Sequence, residues 1–314
     1  MHILRSALAY ACLAALASAP AHAQSWPQKT VRFIVPLPPG SGMDLSARVV
    51  AEKLTEKWGQ PVVVENRQGA DGIPAVLAFL GARDNHTFMF SFASIVTFNH
   101  LLHDKLPYDP KDIVPVAPVI DNFLGVSISA TLNIKTLPEL VAAAKAQPGK
   151  LNYGVTPGLP VYVMLALQRQ TGIELANIPY RDFAPAYQDI TTGRLHLAST
   201  GVPTLVPHHR AGTAPLLIVT NSVRSPQVPE VPTAKEAGYP NLTFEGPSGV
   251  WGWRDMAPEI RDRVVKDVRT IVEDPAFRAR VEMVGTVPRP GTQQEFAAAV
   301  EEQRAKIAAI HAMK

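Results

Sequence analysis

Two α/β lobes, the second inserted into the first, are the architecture this sequence predicts. Three observations carry the prediction. Strand and helix signals alternate along most of the chain, strands run into small or glycine-rich loops, and two extended stretches read as crossings between lobes. The alternation also predicts mainly parallel sheets, whose ligands bind outside the carboxyl ends of the strands.

The N-terminus is read as an export signal rather than as fold. Arg5 gives a positive start, Ala7–Ala17 is an apolar run, and Ala21-His22-Ala23 is a small-x-small cleavage site. Cleavage after Ala23 makes residues 1–23 a signal peptide, and Tyr10 stands where a lipoprotein signal needs a small residue. The chain has one cysteine, Cys12, inside that run. The exported protein therefore has no thiol for disulfides, metal or nucleophilic chemistry, and its core must hold it together. The formal charge of +3 is not gathered into any basic run, and aromatics are sparse, which argues against nucleic acid as a partner. No later stretch approaches the ~20 apolar residues of a membrane span.

The first structural unit is Val31–Leu45, a short buried strand, the turn Pro38-Pro39-Gly40-Ser41-Gly42, and the start of an amphipathic helix ending near Trp58. Such a turn leaves N–H groups free at the positive end of a helix, which suits an anion. Pro61–Glu65 is the next strand, and Pro74 opens a helix where its missing N–H costs nothing. Thr87–Ser91 is a third strand, and Ser91–Ser94 leads into a helix ending before Pro107. Ile113–Ile128, interrupted at Asp121-Asn122, reads as a strand leaving one lobe, a hinge, and a strand entering the other.

The second region begins with a T-x-x-E capping box, Thr136 and Glu139. The strand Asn152–Val155 meets a second strand-to-helix turn, Thr156–Pro160, and a helix follows to Thr171. Glu174–Ile178 runs into Tyr180-Arg181-Asp182 and a short helix from Ala184. Leu195–Ser199 and Leu216–Thr220 are its last strands. Ser225–Pro240 reads as an ordered surface connection, Leu242–Trp253 returns to the first lobe, and helices follow at Pro258–Glu273, at Pro275–Val284 and from Gln293. The lobes are thus residues 24–122 with 243–314, and residues 123–242.

Several segments in this order resemble the Bug family, the TctC-like receptors of tripartite tricarboxylate transporters. They are VRFIVPLPPGSGMD, GQPVVVENRQGADG, LPYDPKDIVPVAPV, LNYG, IPYRDFAPAYQDITTGRLHL, VPTAKEAGYP and VWGW. The resemblance runs from about Trp26 to the C-terminus. It implies a two-lobed periplasmic-binding-protein fold (Venus flytrap, type II) without a cofactor, working as a monomer in the periplasm. It also implies a small carboxylate ligand (a dicarboxylate, acidic amino acid or aromatic acid) and membrane partners of the TctA and TctB type.

Carried over, the ligand loop of the first lobe is Leu37, Pro39, Gly40, Ser41, Gly42, Met43 and Asp44. The facing set is Thr156, Gly158, Tyr180, Arg181 and Asp182, joined by Ser91, Ser94 and Thr200. The chain departs from the family pattern at Leu37, Ser41, Arg181 and Asp182 and in the Val155–Pro160 turn. An aspartate near an anion site repels a carboxylate unless Arg181 or a ligand cation compensates.

Each residue also has a plainer role open to it. Gly40-Ser41-Gly42 serves equally as a tight turn, and Asp44 as a carboxylate stabilising a helix dipole. Arg181 can fork onto a ligand carboxylate or pair with Asp182. Ser91 and Ser94 can cap a helix. A dinucleotide fingerprint fails at Leu45, which fills the third glycine position. His100, His103 and Asp104, or His208-His209, fall short of a metal-ligand pattern. Gly246–Val250 fails the nucleophile-elbow spacing. The alternatives to a transport receptor are a receptor for a two-component signalling system and an exported hydrolase or lyase.

Overall fold

The computed structural model describes residues 26–103, 105–155, 158–180 and 183–312. The expected export signal, Asp104, Thr156-Pro157 and Arg181-Asp182 lie outside the described residues.

The chain forms two separate sheets. The first contains strands β1 (Val31–Val35), β2 (Val62–Asn66), β3 (Thr87–Phe92) and β4 (Ile113–Asn122). The second contains β5 (Leu124–Ile128), β6 (Asn152–Val155), β7 (Ala176–Asn177), β8 (Leu197–Gly201) and β9 (Leu216–Val219). The chain then returns, and β10 (Pro247–Trp253) and β11 (Thr286–Pro288) complete the first sheet, whose order is β11-β4-β10-β3-β1-β2. The order of the second is β7-β6-β8-β5-β9. This is the two-lobed, inserted architecture.

The expectation of mainly parallel sheets needs correction. β1 pairs in parallel with β2 and β3, and β6 with β7 and β8. However, β10 runs antiparallel to β3 and β4, β11 to β4, and β5 to β8 and β9. Helical crossovers impose parallel pairing within each lobe. Strands that carry the chain through a hinge enter or leave from the opposite end, so they pair antiparallel.

Alternation along the strands fills both faces of the first sheet. Phe33, Phe88 and Phe90 pack with Val50, Leu54, Val268 and Phe277, beneath helices Gly42–Trp58, Pro258–Val272 and Pro275–Glu282. Ile34, Met89 and Trp251 point the other way, against Val76 and Phe79 of helix Ile73–Ala82 and Phe296 of helix Gln293–Ala312. In the second lobe, Val126, Ile128 and Leu197 pack under helices Leu137–Ala146 and Leu159–Thr171. Ala198 faces the opposite side, with Ala186 and Ile190 of helix Phe183–Thr192.

The break between β4 and β5 falls at Phe123, one residue past the expected hinge pair, and its ring is buried in the second lobe. The outgoing and returning crossings are hydrogen-bonded together. Asn122 N–H donates to Gly246 O at 3.0 Å, Thr220 N–H to Leu124 O at 2.9 Å, and Phe244 N–H to Thr220 O at 2.8 Å. The expected single helix after β3 is two four-residue helices, Ser94–Thr97 and Asn99–Leu102, divided at Phe98 where φ is −146°.

Candidate functional site

The loop after β1 is built as an open turn over a buried carboxylate. Ser41 caps helix Gly42–Trp58, its hydroxyl accepting Asp44 N–H at 3.3 Å. Gly40 has φ of +83°, and a Cβ there would meet nothing within 4 Å, so the turn's outer face is open. Gly42 is a glycine for a different reason: a Cβ would stand 3.1 Å from Val284 O, where the first turn of the helix abuts the chain before β11.

Asp44 is 1% exposed and lies under the turn. Its carboxylate accepts Gly40 N–H at 2.8 Å, Asn66 Nδ2 at 2.9 Å and Arg48 Nε at 3.0 Å. Asn66 also donates to Leu37 O at 2.9 Å, so β2 and the first helix hold both ends of the loop. Burial by itself raises the pKa of Asp44, but Arg48, Gly40 N–H and Asn66 together hold it below the ordinary 3.8. Met43 is buried in the core behind the loop, Leu37 packs against that core, and Pro39 is exposed.

Ser91 lies at the carboxyl end of β3 and is fully buried; its carbonyl accepts Trp251 Nε1 at 2.9 Å, while its hydroxyl has no partner among the described residues. Ser94 is half-buried and starts the short helix that follows.

On the second lobe, Gly158 precedes helix Leu159–Thr171 with φ of +107°, and a Cβ there would lie 3.4 Å from the Phe98 ring of the first lobe. Tyr180 lies across Gly154, where a Cβ would fall 2.8 Å from its ring. Its hydroxyl donates to Asp189 at 2.8 Å, and Asp189 pairs with Arg194. Burial, then Asp189, pushes the Tyr180 hydroxyl up to about 12. Thr200, near the end of β8, is buried. Thr156, Arg181 and Asp182, named from the sequence, lie outside the described residues.

One site element was not legible in the sequence. Helix Val202–Arg210 follows β8 directly, with Gly201 before it and Pro203 in its first turn. Pro207 inside the helix hid it, although Gly-Val-Pro was a usable start signal. Its first turn meets the first lobe: a Cβ on Gly285 would stand 2.6 Å from Pro203 Cγ. Helix starts from both lobes therefore converge on the chain between Val284 and Gly285. Of the histidines, His103 pairs with Asp71 at 2.9 Å and His209 with Glu230 at 2.8 Å.

The fold defines a class, the two-lobed periplasmic binding proteins. Within that class the chain belongs to the tripartite tricarboxylate transporter family receptors, whose model matches residues 46–313. It is 34% identical over 230 residues to Protein BugT of Bordetella pertussis, a match covering 72% of this chain and 71% of BugT. The structure "R. palustris Rpa4515 with adipate" superposes with a TM-score of 0.80 at 28% identity, covering 91% of this chain and 98% of that one. MatC (Rpa3494) from Rhodopseudomonas palustris, with bound malate, has a TM-score of 0.76 at 26% identity, covering 91% of this chain and all (100%) of that one. The Bug-type receptor fold expected from the sequence motifs is thus the fold observed.

Proposed function

We propose that this protein is a periplasmic receptor that captures a small carboxylate by closing its lobes and delivers it to TctA/TctB-type permease subunits. The division into residues 24–122 with 243–314 and residues 123–242 belongs to the same proposal. The observation that carries it is the Gly40–Asp44 loop, an open helix N-terminus held from beneath by Asp44 and Asn66. Backbone N–H groups at such a position bind a carboxylate without a dedicated cation. The adipate and malate held by two structural relatives support the ligand class. Arg181 is the proposed charge partner on the opposite jaw, offering a guanidinium fork to the ligand's carboxylate.

The test is a thermal-shift and calorimetric screen of adipate, malate, aspartate, glutamate and benzoate, with their neutral amides. One acid class raises the melting temperature by mass action, adding about 2.7 kcal/mol of stability at a hundredfold excess over Kd, and its amide does not. The acid is recovered unchanged. Binding of no acid, equal binding of amides, or conversion of the acid would each overturn the reading.

A further inference from the structure

We infer that helix Gln293–Ala312 is a third connection between the lobes, a strap that pivots at Gln303 and sets the angle at which the lobes rest. The helix belongs to both cores. Phe296 and Val300 pack in the first lobe, where the Phe296 and Trp251 rings lie 4.9 Å apart. Two turns later, Ile307 and Ile310 pack in the second lobe with Tyr162, Leu167 and Phe244. An α-helix is stiff over this length, so the lobes cannot turn freely about the two strand crossings while both ends stay buried.

Gln303 sits where the helix passes from one core to the other, and the residue is 9% exposed. Its Oε1 accepts the Thr97 hydroxyl at 2.8 Å and its Nε2 donates to Glu245 O at 3.0 Å. Thr97 stands in the segment leaving β3, and Glu245 stands in the returning crossing. One amide thus ties the first lobe, the crossing and the strap. The next turn adds to the attachment. Arg304 donates to Val96 O at 2.7 Å, and Lys306 donates to Thr243 O with its ammonium 4.3 Å from the centre of the Phe244 ring. Phe98 reinforces it by placing a first-lobe ring 5.5 Å from Tyr162, within the second-lobe core. The Gln303 amide thus fixes the strap to the first lobe and the returning crossing at the point where it leaves one core for the other, so a rotation that carries Ile307 and Ile310 away with the second lobe must strain or release it. The strap depends on the two-lobed fold and not on which ligand is bound.

The experiment measures the lobe angle without ligand. Cys12 is the chain's single cysteine, so a protein starting at Gln24 carries no native thiol. Spin labels on Glu56→Cys and Lys145→Cys, one exposed helix position in each lobe, report the inter-lobe distance by pulsed electron resonance. Gln303→Leu keeps the bulk and removes both bonds, and it is expected to broaden the distance distribution at least twofold or add a second population several ångströms away. Gln303→Glu keeps the acceptor for Thr97 but loses the donor to Glu245, and it is expected to give a smaller change in the same direction. This second variant carries the test should the leucine variant fold poorly. Distributions for a folded variant that coincide with the unsubstituted protein would overturn the strap.

Discussion

Replacing Asp44 by Asn tests whether the first jaw is a backbone cradle held from below. The substitution keeps the shape and one acceptor oxygen but removes the charge that draws together Gly40 N–H, Asn66 and Arg48. Arg48 is half-exposed, so solvent weakens its share. The larger part comes from the Gly40 N–H and Asn66, which lose a charged acceptor that is itself buried beneath the turn. A hydrogen bond to a charged group is worth about 1.5–3 kcal/mol against about 1 for a neutral one, so Asp44→Asn should cost about 1–3 kcal/mol. The pH dependence identifies the group. The native pKa of Asp44 is held below its ordinary value, so its contribution is complete above about pH 4 and fades as the pH falls through the native value. Urea unfolding of both proteins at pH 7 and pH 3 should therefore show a gap that narrows at pH 3. Affinity for the cognate acid should fall at pH 7, because the loop loses its anchor. An Asp44→Asn protein equal in stability to the parent at pH 7, or a gap unchanged at pH 3, would refute the reasoning.

Gly40 tests the charge of the ligand. Asn and Asp have the same shape and both tolerate positive φ, so Gly40→Asp should bind the acid at least tenfold more weakly than Gly40→Asn, about 1.4 kcal/mol; equal Kd values by calorimetry would remove the cradle. Asp121, beside the hinge and doubly bonded to Arg289 at 2.8 and 2.7 Å, is pushed by burial from the ordinary 3.8 up to about 6, with Arg289 opposing and Glu245 adding to the rise. The native state therefore holds this proton more tightly, and the group removes stability as pH rises from about 4 to about 6. Asp121→Asn should gain about 2–3 kcal/mol on the parent across that window, a slope that urea unfolding at pH 4 and pH 7 would detect or deny. Gly154→Ala drives a methyl into the Tyr180 ring and should cost about 1–3 kcal/mol in stability; a melting temperature unchanged by calorimetry would mean that the ring is free to move.

The elements that sequence patterns resolved well are those whose signals are local. The turn Pro39–Gly42, the capping box at Thr136 and helix Phe183–Thr192 depend on residues within one or two turns of each other. Long-range relations left weaker marks. The direction of β10 depends on how the chain returns through the hinge, which Pro247–Trp253 does not encode. Helix Val202–Arg210 was hidden because Pro207 counts against a helix locally, yet Leu205 and Val206 are buried against Phe123. The role of Asp44 was legible only as a pair of alternatives, because its partners Asn66 and Arg48 are brought in by the neighbouring strand and the next helical turn. Gln303 gave no signal at all. It is one polar residue in an Ala- and Glu-rich helix, and only the fold places Thr97 and Glu245 at its two ends.

On the proposed function, the two jaws divide the work of recognition unequally. Beneath the first jaw, the negative charge of Asp44 is matched by Arg48, so the loop presents backbone N–H groups on a locally neutral base. Such a surface attracts any carboxylate and distinguishes poorly among them. The hydroxyl of Tyr180 on the second jaw is committed to Asp189, and its high pKa keeps it protonated at neutral pH, which leaves the ring as a wall rather than a donor. On our proposal, discrimination then falls to the adjacent Arg181 and Asp182. A guanidinium favours a second carboxylate, whereas an aspartate beside it favours a ligand that also carries an amine or hydroxyl. Exchanging the two residues, as Arg181→Asp with Asp182→Arg, keeps the net charge and moves its position. If selectivity among acids resides on this jaw, the exchange should reorder the affinities of malate, aspartate and adipate while Gly40 substitutions scale all of them together.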